Sequence, residues 1–369
     1  MLRPDRYRLL LLSAFSYQGG IEKFNRALMK AFTELGLTGR LSASAAVLHD
    51  QHSPDERYTN RNTFRFYKGS IPRFLLDQFY RFARVDVLVL GHVNLAIAGL
   101  LYKWLFPSRK LMVVCHGIEV FNPLQGLRSR ILRKADRLLA VSGYTRTQLM
   151  EVHNIPAEKI SIFPNTLDPY FELPENFVRP DYLCERYGID AADRVLFTLT
   201  RLNAKEGYKG YDRVLRILPS LLAKGLPVKY VIAGKADEDE SLRLQELIRD
   251  LRLEDQVIIT GFVPDEEITD HFLLADAYVM PSKGEGFGIV FIEAMACGLP
   301  VIAGNKDGST EALQHGKLGL LVDPDSPQEI EDAVIRALQQ PRDPERIRNE
   351  MLEHFSFDRF RQRLQEVLF

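Results

Sequence analysis

The sequence predicts an α/β protein built from two doubly wound domains, each with a parallel sheet covered by helices. Apolar runs of strand length alternate with amphipathic segments, which is typical of strand-helix-strand units. The alternation stops at a connector rich in proline and acidic residues, near residues 169–180, and then restarts. A chain of 369 residues is also too long for one ordinary hydrophobic core.

The predicted strands form two series, one on each side of the connector. The first series is Arg8–Ala14, Val85–Leu90, Lys110–Cys115, Arg137–Val141 and Lys159–Phe163. The second series is Arg194–Thr200, Val228–Ala233, Gln256–Ile259, Ala277–Met280 and Pro300–Ala303. We therefore predict an N-terminal domain over residues 1–178 and a C-terminal domain over residues 179–352.

The last segment, residues 353–369, predicts a terminal helix. Its apolar residues have amphipathic spacing; they are Phe355, Phe357, Phe360, Leu364 and Leu368. We expect this helix to pack back on the N-terminal domain, with membrane attachment as the alternative.

Composition indicates a soluble globular protein of the cytoplasm. Hydrophobic residues make up 46% and charged residues 26% of the chain. Cys115, Cys184 and Cys297 are far apart and odd in number, which favours reduced thiols over disulfides or a metal site. The apolar start resembles a signal peptide but leads into Gly19-Gly20 and a helix pattern, so we interpret it as a first buried strand.

Charge is distributed unequally between the two halves of the chain. Residues 1–180 hold 25 Lys and Arg against 15 Asp and Glu, whereas residues 181–369 hold 23 against 34. A basic first half is suited to an anionic acceptor, an anionic membrane or nucleic acid. We expect an acceptor, or peripheral contact with the inner membrane face, and no nucleic acid; an ordinary solvated surface is the alternative.

Several loops with chemically useful residues directly follow predicted strands. They are Gly19-Gly20, His116-Gly117, Arg201, Gly234-Lys235 and residues 281–288. Ligands of doubly wound sheets bind beyond the carboxyl ends of the strands. Because such loops occur in both domains, we expect a ligand in a cleft between the domains.

The strongest signal is the glycine-rich loop that precedes a predicted helix at residue 289. Gly284, Gly286 and Gly288 allow the backbone to approach an anion closely. The helix start adds unpaired N–H groups and a positive dipole end. The amides of residues 286–288 therefore predict a diphosphate site that requires neither a lysine nor a metal ion.

Two glutamates accompany this loop. Glu285 and Glu293 are eight residues apart, about two helical turns, so we expect both carboxylates to face one cleft. A carboxylate accepts two hydrogen bonds at once, which suits the vicinal hydroxyls of a sugar or ribose. The alternative is a helix-start glutamate with a structural salt bridge.

This segment resembles the E-x7-E signature of the group 1 (family 4) retaining glycosyltransferases, with Glu285 and Glu293 at the two glutamate positions. Phe291–Ala303 is similar to the family almost residue for residue. Other stretches also resemble the family, at residues 19–23, 200–210, 261–264 and 308–324. The resemblance covers most of residues 195–340 and, more loosely, short pieces of the first 180 residues. The resemblance implies the GT-B fold, two Rossmann-like domains facing across a cleft, with the acceptor on the first domain and the nucleotide sugar on the second.

The resemblance also implies roles for individual residues. Glu285 would contact the hydroxyls of the donor sugar, and Glu293 would hold the ribose. Arg201 and Lys209 would neutralise the leaving diphosphate, where fixed cations bind the transition state more tightly than the ground state. His116 would lie near the transferred sugar. The remaining donor-binding residues would be Gly19, Gly20, Gly234, Val263, Gly286, Phe287, Gly288 and Ile289.

Alternatives remain for four of these assignments. Lys205 lies in the longer insert between Arg201 and Lys209 and is the alternative phosphate lysine. Arg201 is otherwise a surface salt bridge, and His116 is otherwise a histidine satisfied by nearby backbone. Gly19 and Gly20 are otherwise a plain turn.

The predicted activity is retaining transfer of a sugar from a nucleotide-diphosphate donor to a glycan or lipid-linked acceptor, in polysaccharide or glycolipid biosynthesis. A UDP-sugar is favoured on family frequency alone, and no cofactor or metal is expected. The acidic run at residues 237–240 is interpreted as solvated. A nucleotide-sugar 2-epimerase shares the architecture and is one alternative. A non-catalytic nucleotide-sugar-binding subunit is the other.

Overall fold

The computed structural model describes residues 4–369, apart from the side chain of Lys205. The chain divides into two compact units. One unit comprises the residues up to Pro169 together with Phe355–Phe369, and the other comprises Tyr170–His354. The division falls at Pro169, whereas the sequence placed the domain boundary at residue 178.

Each unit contains one sheet, and every strand pair within it is parallel. The first sheet is β1 Asp5–Leu11, β2 Leu41–Val47, β3 Phe64–Phe66, β4 Val87–Leu90, β5 Lys110–Cys115, β6 Arg137–Ala140 and β7 Ile160–Ile162. The second sheet is β8 Arg194–Leu199, β9 Val228–Ala233, β10 Val257–Gly261, β11 Ala277–Met280, β12 Val301–Gly304 and β13 Leu320–Val322. The prediction of two Rossmann-like domains is confirmed.

Helices connect the strands and cover the sheets. In chain order they are α1 Gly20–Leu37, α2 Ile71–Phe82, α3 Ala96–Leu105, α4 Gly126–Lys134, α5 Gly143–His153, α6 Asp181–Tyr187, α7 Tyr211–Ala223, α8 Glu238–Asp250, α9 Asp265–Leu274, α10 Ile289–Ala296, α11 Ser309–Ala312, α12 Pro327–Gln339, α13 Pro344–Phe355 and α14 Phe357–Leu368. Among the described residues, no helix combines the length and apolarity that a membrane span requires.

The strand order explains where ligands can bind. The first sheet runs β3-β2-β1-β4-β5-β6-β7 and the second runs β10-β9-β8-β11-β12-β13. The order therefore reverses between β1 and β4 in one sheet and between β8 and β11 in the other. At such a switch point the loops beyond the two strands diverge and leave a crevice, which is the usual ligand site of this architecture.

The terminal helix α14 packs on the first unit. Phe360 is buried, with its ring 5.7 Å from Phe24 of α1 and 4.6 Å from Phe163. Arg361 Nη1 donates to Glu34 of α1 at 2.6 Å. Hydrophobic burial and a charged hydrogen bond together hold the end of the chain against α1.

One sequence interpretation is wrong for part of the acidic run at residues 237–240. Asp237 caps α8, its side chain accepting from the Glu240 amide at 2.8 Å. Glu240 is buried and accepts from Tyr211 Oη at 2.5 Å and from Arg243. This carboxylate is thus part of the packing between α7 and α8, because buried charges require such partners.

Candidate donor-binding site

Two loops meet at the switch point of the second sheet. One is a short 3₁₀ segment, Ala204–Lys209, beyond β8, and the other is the glycine-rich loop, residues 281–288, beyond β11. The Lys283 amide donates to the Tyr208 carbonyl at 2.9 Å. A Cβ at Gly284 would lie 2.8 Å from the Tyr208 ring, so glycine is required there for the loops to dock.

The docked loops bring Lys209 and Glu285 into an ion pair. Each side chain is only 13% exposed. The Lys209 ammonium also lies 5.2 Å from the centre of the Tyr208 ring. The cation and the carboxylate that the sequence assigned to phosphate and sugar are therefore in direct contact. Reduced exposure strengthens their interaction beyond that of a surface pair.

Asp307, which follows β12, holds the backbone of Glu285 in place. Its Oδ2 accepts from the Glu285 amide at 2.7 Å and from Ser282 Oγ at 2.5 Å. Its Oδ1 accepts from the Ser309 amide at 3.0 Å. Asp307 was not among the predicted site residues, since nothing in its local sequence indicates that its partners lie 22 and 25 residues earlier.

The Asp307 carboxyl is 1% exposed. Burial raises the pKa of Asp307 to about 6, although the hydrogen bonds from Ser282, Ser309 and Glu285 act in the opposite direction. Removal from water thus outweighs these donors. At neutral pH the buried carboxylate is charged and has lost its hydration, and the hydrogen bonds from its close partners offset part of that unfavourable free energy.

The glycine-rich loop also packs tightly against Gly308. A Cβ there would lie 2.1 Å from the Gly286 carbonyl oxygen, and the Gly308 amide donates to the Glu285 carbonyl at 2.9 Å. Gly288 has φ +86° and immediately precedes α10. The amides of Gly286 and Gly288 have no acceptor among the described residues. They are therefore available to an anion at the start of α10.

Glu293 lies on α10 and is 1% exposed. Glu285 precedes α10, in the loop, so helical periodicity does not relate the two carboxylates as the sequence analysis assumed. Phe287 and Ile289 are both buried and anchor the loop and the helix start.

The other donor-site candidates of the second unit lie in neighbouring loops. Arg201 follows β8, is 75% exposed, and pairs with Glu206 at 2.8 Å, which is the surface salt bridge considered as its alternative. The Lys205 side chain lies outside the described part of the chain. Gly234 has φ +139°, and a Cβ there would lie 1.7 Å from the Thr200 carbonyl oxygen. Val263 is buried beyond β10.

The first-unit candidates lie beyond β1 and β5. Gly19 caps α1, where a Cβ would lie 2.6 Å from Glu22 Oε2, and Gly20 begins the helix. His116 Nε2 is 2.8 Å from the Gly91 carbonyl oxygen, beyond β4. Because a carbonyl only accepts, Nε2 carries the proton in the neutral ring. This is the backbone-satisfied histidine considered as an alternative, and it leaves Nδ1 as an acceptor.

We predict that His116 stays neutral between pH 5 and pH 8. Burial lowers the pKa of His116 to about 4, outweighing the opposite effects of Gly91 and Glu22. A ¹⁵N–¹H correlation titration should show one protonated ring nitrogen, Nε2, throughout this range. Ordinary titration of the His116 ring near pH 6.5 would contradict the prediction.

Two family models match this chain. Residues 184–353 match the family model described as "Glycosyl transferases group 1". Residues 18–171 match the model described as "Glycosyltransferase Family 4". These two matches cover most of both units and confirm the resemblance inferred from the sequence.

Two curated relatives illustrate the similarity. A GDP-mannose-dependent alpha-(1-6)-phosphatidylinositol monomannoside mannosyltransferase of Mycobacterium tuberculosis is 34% identical over 63% of this chain and 61% of its own length. A D-inositol 3-phosphate glycosyltransferase of Thermobispora bispora is 30% identical over 72% of this chain and 65% of its own. The alignments thus span less than two thirds of these relatives.

Solved structures share the fold. Anabaena Alr3699/HepE in complex with UDP-glucose has a TM-score of 0.78 at 19% identity, covering 98% of this chain and 99% of that one. A glycosyltransferase from Rickettsia africae has a TM-score of 0.76 at 18% identity, covering 98% and 97%. At these identities the likeness shows the fold, which is the GT-B fold implied by the resemblance.

Proposed function

Since the chain belongs to the group 1 glycosyltransferase family, we propose that it transfers a hexose from a nucleoside diphosphate sugar to a glycan or lipid-linked acceptor. The observation that carries the proposal is the Lys209–Glu285 ion pair, held beside the amides of Gly286 and Gly288 at the switch point of the second sheet. A cation, a carboxylate and backbone donors are the groups needed for a diphosphate attached to a polyhydroxylated sugar.

These groups divide the work of the transfer. The amides of Gly286 and Gly288 bind a phosphate oxygen at the start of α10. Lys209 neutralises the charge that grows on the diphosphate as the glycosidic bond breaks. Glu285 accepts hydrogen bonds from sugar hydroxyls and thereby positions the anomeric carbon. The charge on the leaving group is larger in the transition state than in the bound donor, so the lysine lowers the barrier to transfer more than it tightens donor binding.

We further propose transfer with retention of configuration, without a covalent sugar–enzyme intermediate. Glu285 is ion-paired in a loop and is assigned to the sugar hydroxyls, so it is not placed as a nucleophile. The leaving phosphate takes the proton of the acceptor hydroxyl. Proton NMR of the first product should show the anomer of the donor. An inverted product, or a sugar ester on a side chain detected by mass spectrometry, would contradict this.

The base and sugar of the donor can be identified by comparing the melting temperature of the protein with different nucleotide sugars. The sequence favoured UDP, whereas the Mycobacterium tuberculosis relative is named as GDP-mannose-dependent and the Anabaena structure contains UDP-glucose. We expect one nucleotide class to raise the melting temperature clearly. Ligand at 100 times its Kd should stabilise the protein by about 2.7 kcal/mol.

Product identification separates transfer from the alternatives. A transferase releases nucleoside diphosphate and elongates an acceptor, whereas an epimerase converts the donor alone. Glu293→Gln should weaken nucleotide binding, and Glu285→Gln should lower transfer with a smaller effect on nucleotide binding. Wild-type activity in both variants would remove this site assignment.

We also propose that the first unit contacts an anionic membrane, consistent with its basic composition. Helix α2 buries Phe74 and Phe82 on one side but leaves Leu76 and Phe79 exposed on another. Trp104 on the neighbouring α3 is 75% exposed. The next helix, α4, presents exposed basic residues, namely Arg128, Arg130, Arg133 and Lys134. Exposed aromatic residues combined with basic residues are typical of interfacial helices.

Vesicle sedimentation tests this contact. Phe79→Glu with Trp104→Glu should reduce binding to phosphatidylglycerol vesicles at least fivefold, because charge is excluded from the interface. Leu242→Glu, at an exposed leucine of α8 in the second unit, is the matched control. Equal binding of both variants would contradict the proposed surface.

A further inference from the structure

A cavity of about 400 Å³ opens near the amino-terminal ends of strands β1 and β2 of the first sheet. It is lined by the beginnings of β1 and β2 and by the last turn of α2 with the residues that follow. Gly19 and His116 lie beyond the opposite, carboxyl ends of the strands of this sheet. The cavity therefore belongs neither to the donor-site loops nor to the first-unit candidates described above.

The cavity is rich in arginine and hydroxyl groups. Arg6 and Arg8 alternate along β1, and their partners in register on β2 are Ser42 and Ser44. All four line the cavity, as do Arg81 and Arg84 from the end of α2. Side chains two apart on a strand share one face, so the register places these guanidinium and hydroxyl groups on the same side of the sheet.

Arg8 is incompletely satisfied. Its side chain is 3% exposed, and its Nε donates to Gln78 Oε1 at 3.0 Å. Its Nη2 has no hydrogen-bond acceptor among the described residues and lies 3.8 Å from Asp77 Oδ2. That carboxylate already accepts from Arg81 Nε at 2.6 Å and from the Tyr67 hydroxyl. A buried guanidinium with too few acceptors is costly.

Positive charge exceeds negative charge around the cavity. Arg6 is paired with Asp86 through Nε at 2.9 Å, and Arg81 is paired with Asp77. Arg84 is exposed and pairs with no carboxylate of the described residues. Burial lowers the pKa of Arg8 to about 10, and the nearby Arg81 and Arg65 contribute to the lowering. Arg8 nevertheless stays charged at neutral pH, so four arginines face two carboxylates.

We propose that this cavity binds the phosphate group of a phosphate ester. Guanidinium groups match phosphate oxygens in geometry and charge, and serine hydroxyls add neutral donors. A bound phosphate supplies the hydrogen-bond acceptors that Arg8 lacks and balances the positive charge of Arg84. A soluble phosphate ester and a phospholipid headgroup both present this phosphate group. The cavity lies outside the proposed donor site.

Calorimetric titration of the full chain with sn-glycerol 3-phosphate tests the proposal. Arg84→Gln and Arg8→Gln should each raise Kd at least tenfold. Arg73→Gln, an exposed arginine of α2 that does not line the cavity, should bind like the wild type, and so should Lys209→Gln in the donor site. Because Arg8 is buried, Arg84→Gln is the variant whose folding is least at risk.

Vesicles distinguish the two sources of phosphate. Binding to phosphatidylglycerol but not phosphatidylcholine vesicles, weakened in Arg84→Gln and displaced by glycerol 3-phosphate, assigns the site to a lipid headgroup. Binding of glycerol 3-phosphate without such vesicle binding assigns it to a soluble ester. The proposal is overturned if neither probe binds, or if Arg84→Gln and Arg73→Gln bind both probes equally.

Discussion

Replacing Lys209 with methionine is expected to lower kcat by about 10²- to 10³-fold, the size of effect seen when one preorganised transition-state donor is removed. Methionine preserves much of the apolar length of lysine and its packing against Tyr208 but removes the charge. Lys209 is the cation in contact with Glu285, and both side chains are largely shielded from water. The charge that develops on the leaving diphosphate would therefore lose the stabilisation that this fixed cation provides.

A double variant separates this role from simple support of Glu285. If Lys209 acted only by holding Glu285, Lys209→Met with Glu285→Gln should be no worse than Glu285→Gln alone. If it acts on the diphosphate, the double variant should lose a further large factor in kcat. Lys224→Met, at an exposed lysine that follows α7 and lies outside the candidate loops, is the control and should retain normal kcat. Retention of more than a third of wild-type kcat by Lys209→Met would refute the assignment.

The fold was largely predictable because strands buried on both faces leave a clear record in the sequence. Strands β5, β9 and β11 coincide with their predicted bounds, since each is a nearly continuous apolar run. Strand β2 was missed because Leu41–Val47 contains serine and alanine, which give little contrast with a loop. Strands β3 and β13 were also missed, because each has three residues, too few for any periodicity to show. The equally short β7 was predicted only as the middle of a longer apolar segment, Lys159–Phe163.

The site was predictable where chemistry is local and not where it depends on tertiary contacts. The glycine pattern indicated the loop that carries Glu285, and the resemblance indicated Lys209; the structure then brings these two together. Asp307 could not be identified in this way, because it lies in the loop between β12 and α11, where aspartate is an ordinary turn residue. Its significance arises only from burial and from donors that lie far away along the chain.

Asp307→Asn is expected to lower kcat by ten- to a hundredfold while changing nucleotide affinity less. The buried Oδ2 accepts from both the Glu285 amide and Ser282 Oγ, and Oδ1 accepts from the Ser309 amide. An asparagine has one acceptor and one donor group, so in either orientation an amide N–H faces another N–H. In one orientation that N–H opposes the Glu285 amide, and in the other it opposes the Ser309 amide and disturbs the turn that supports the Glu285 loop. Either way the loop that carries Glu285 must adjust, and displacements near 1 Å at a reacting group cost about 10²-fold in rate.

The pH dependence of the unfolding free energy tests the burial of the Asp307 carboxyl independently of kcat. The pKa of Asp307 is raised to about 6 in the folded protein, above the value of about 3.9 in unfolded chains. Its stabilising contribution is therefore complete below pH 4 and is lost as pH rises through 6. Relative to the Asn variant, wild type should lose up to about 3 kcal/mol of unfolding free energy between pH 4 and pH 7.

Asp323→Asn, at a more exposed carboxylate paired with Lys306, should preserve both kcat and the pH dependence of wild type. If Asp307→Asn lowers nucleotide affinity as much as kcat, the substitution disrupts the whole unit and the assigned role is wrong. If the unfolding free energies of wild type and Asp307→Asn depend on pH in the same way, the carboxylate is not held in its buried cluster.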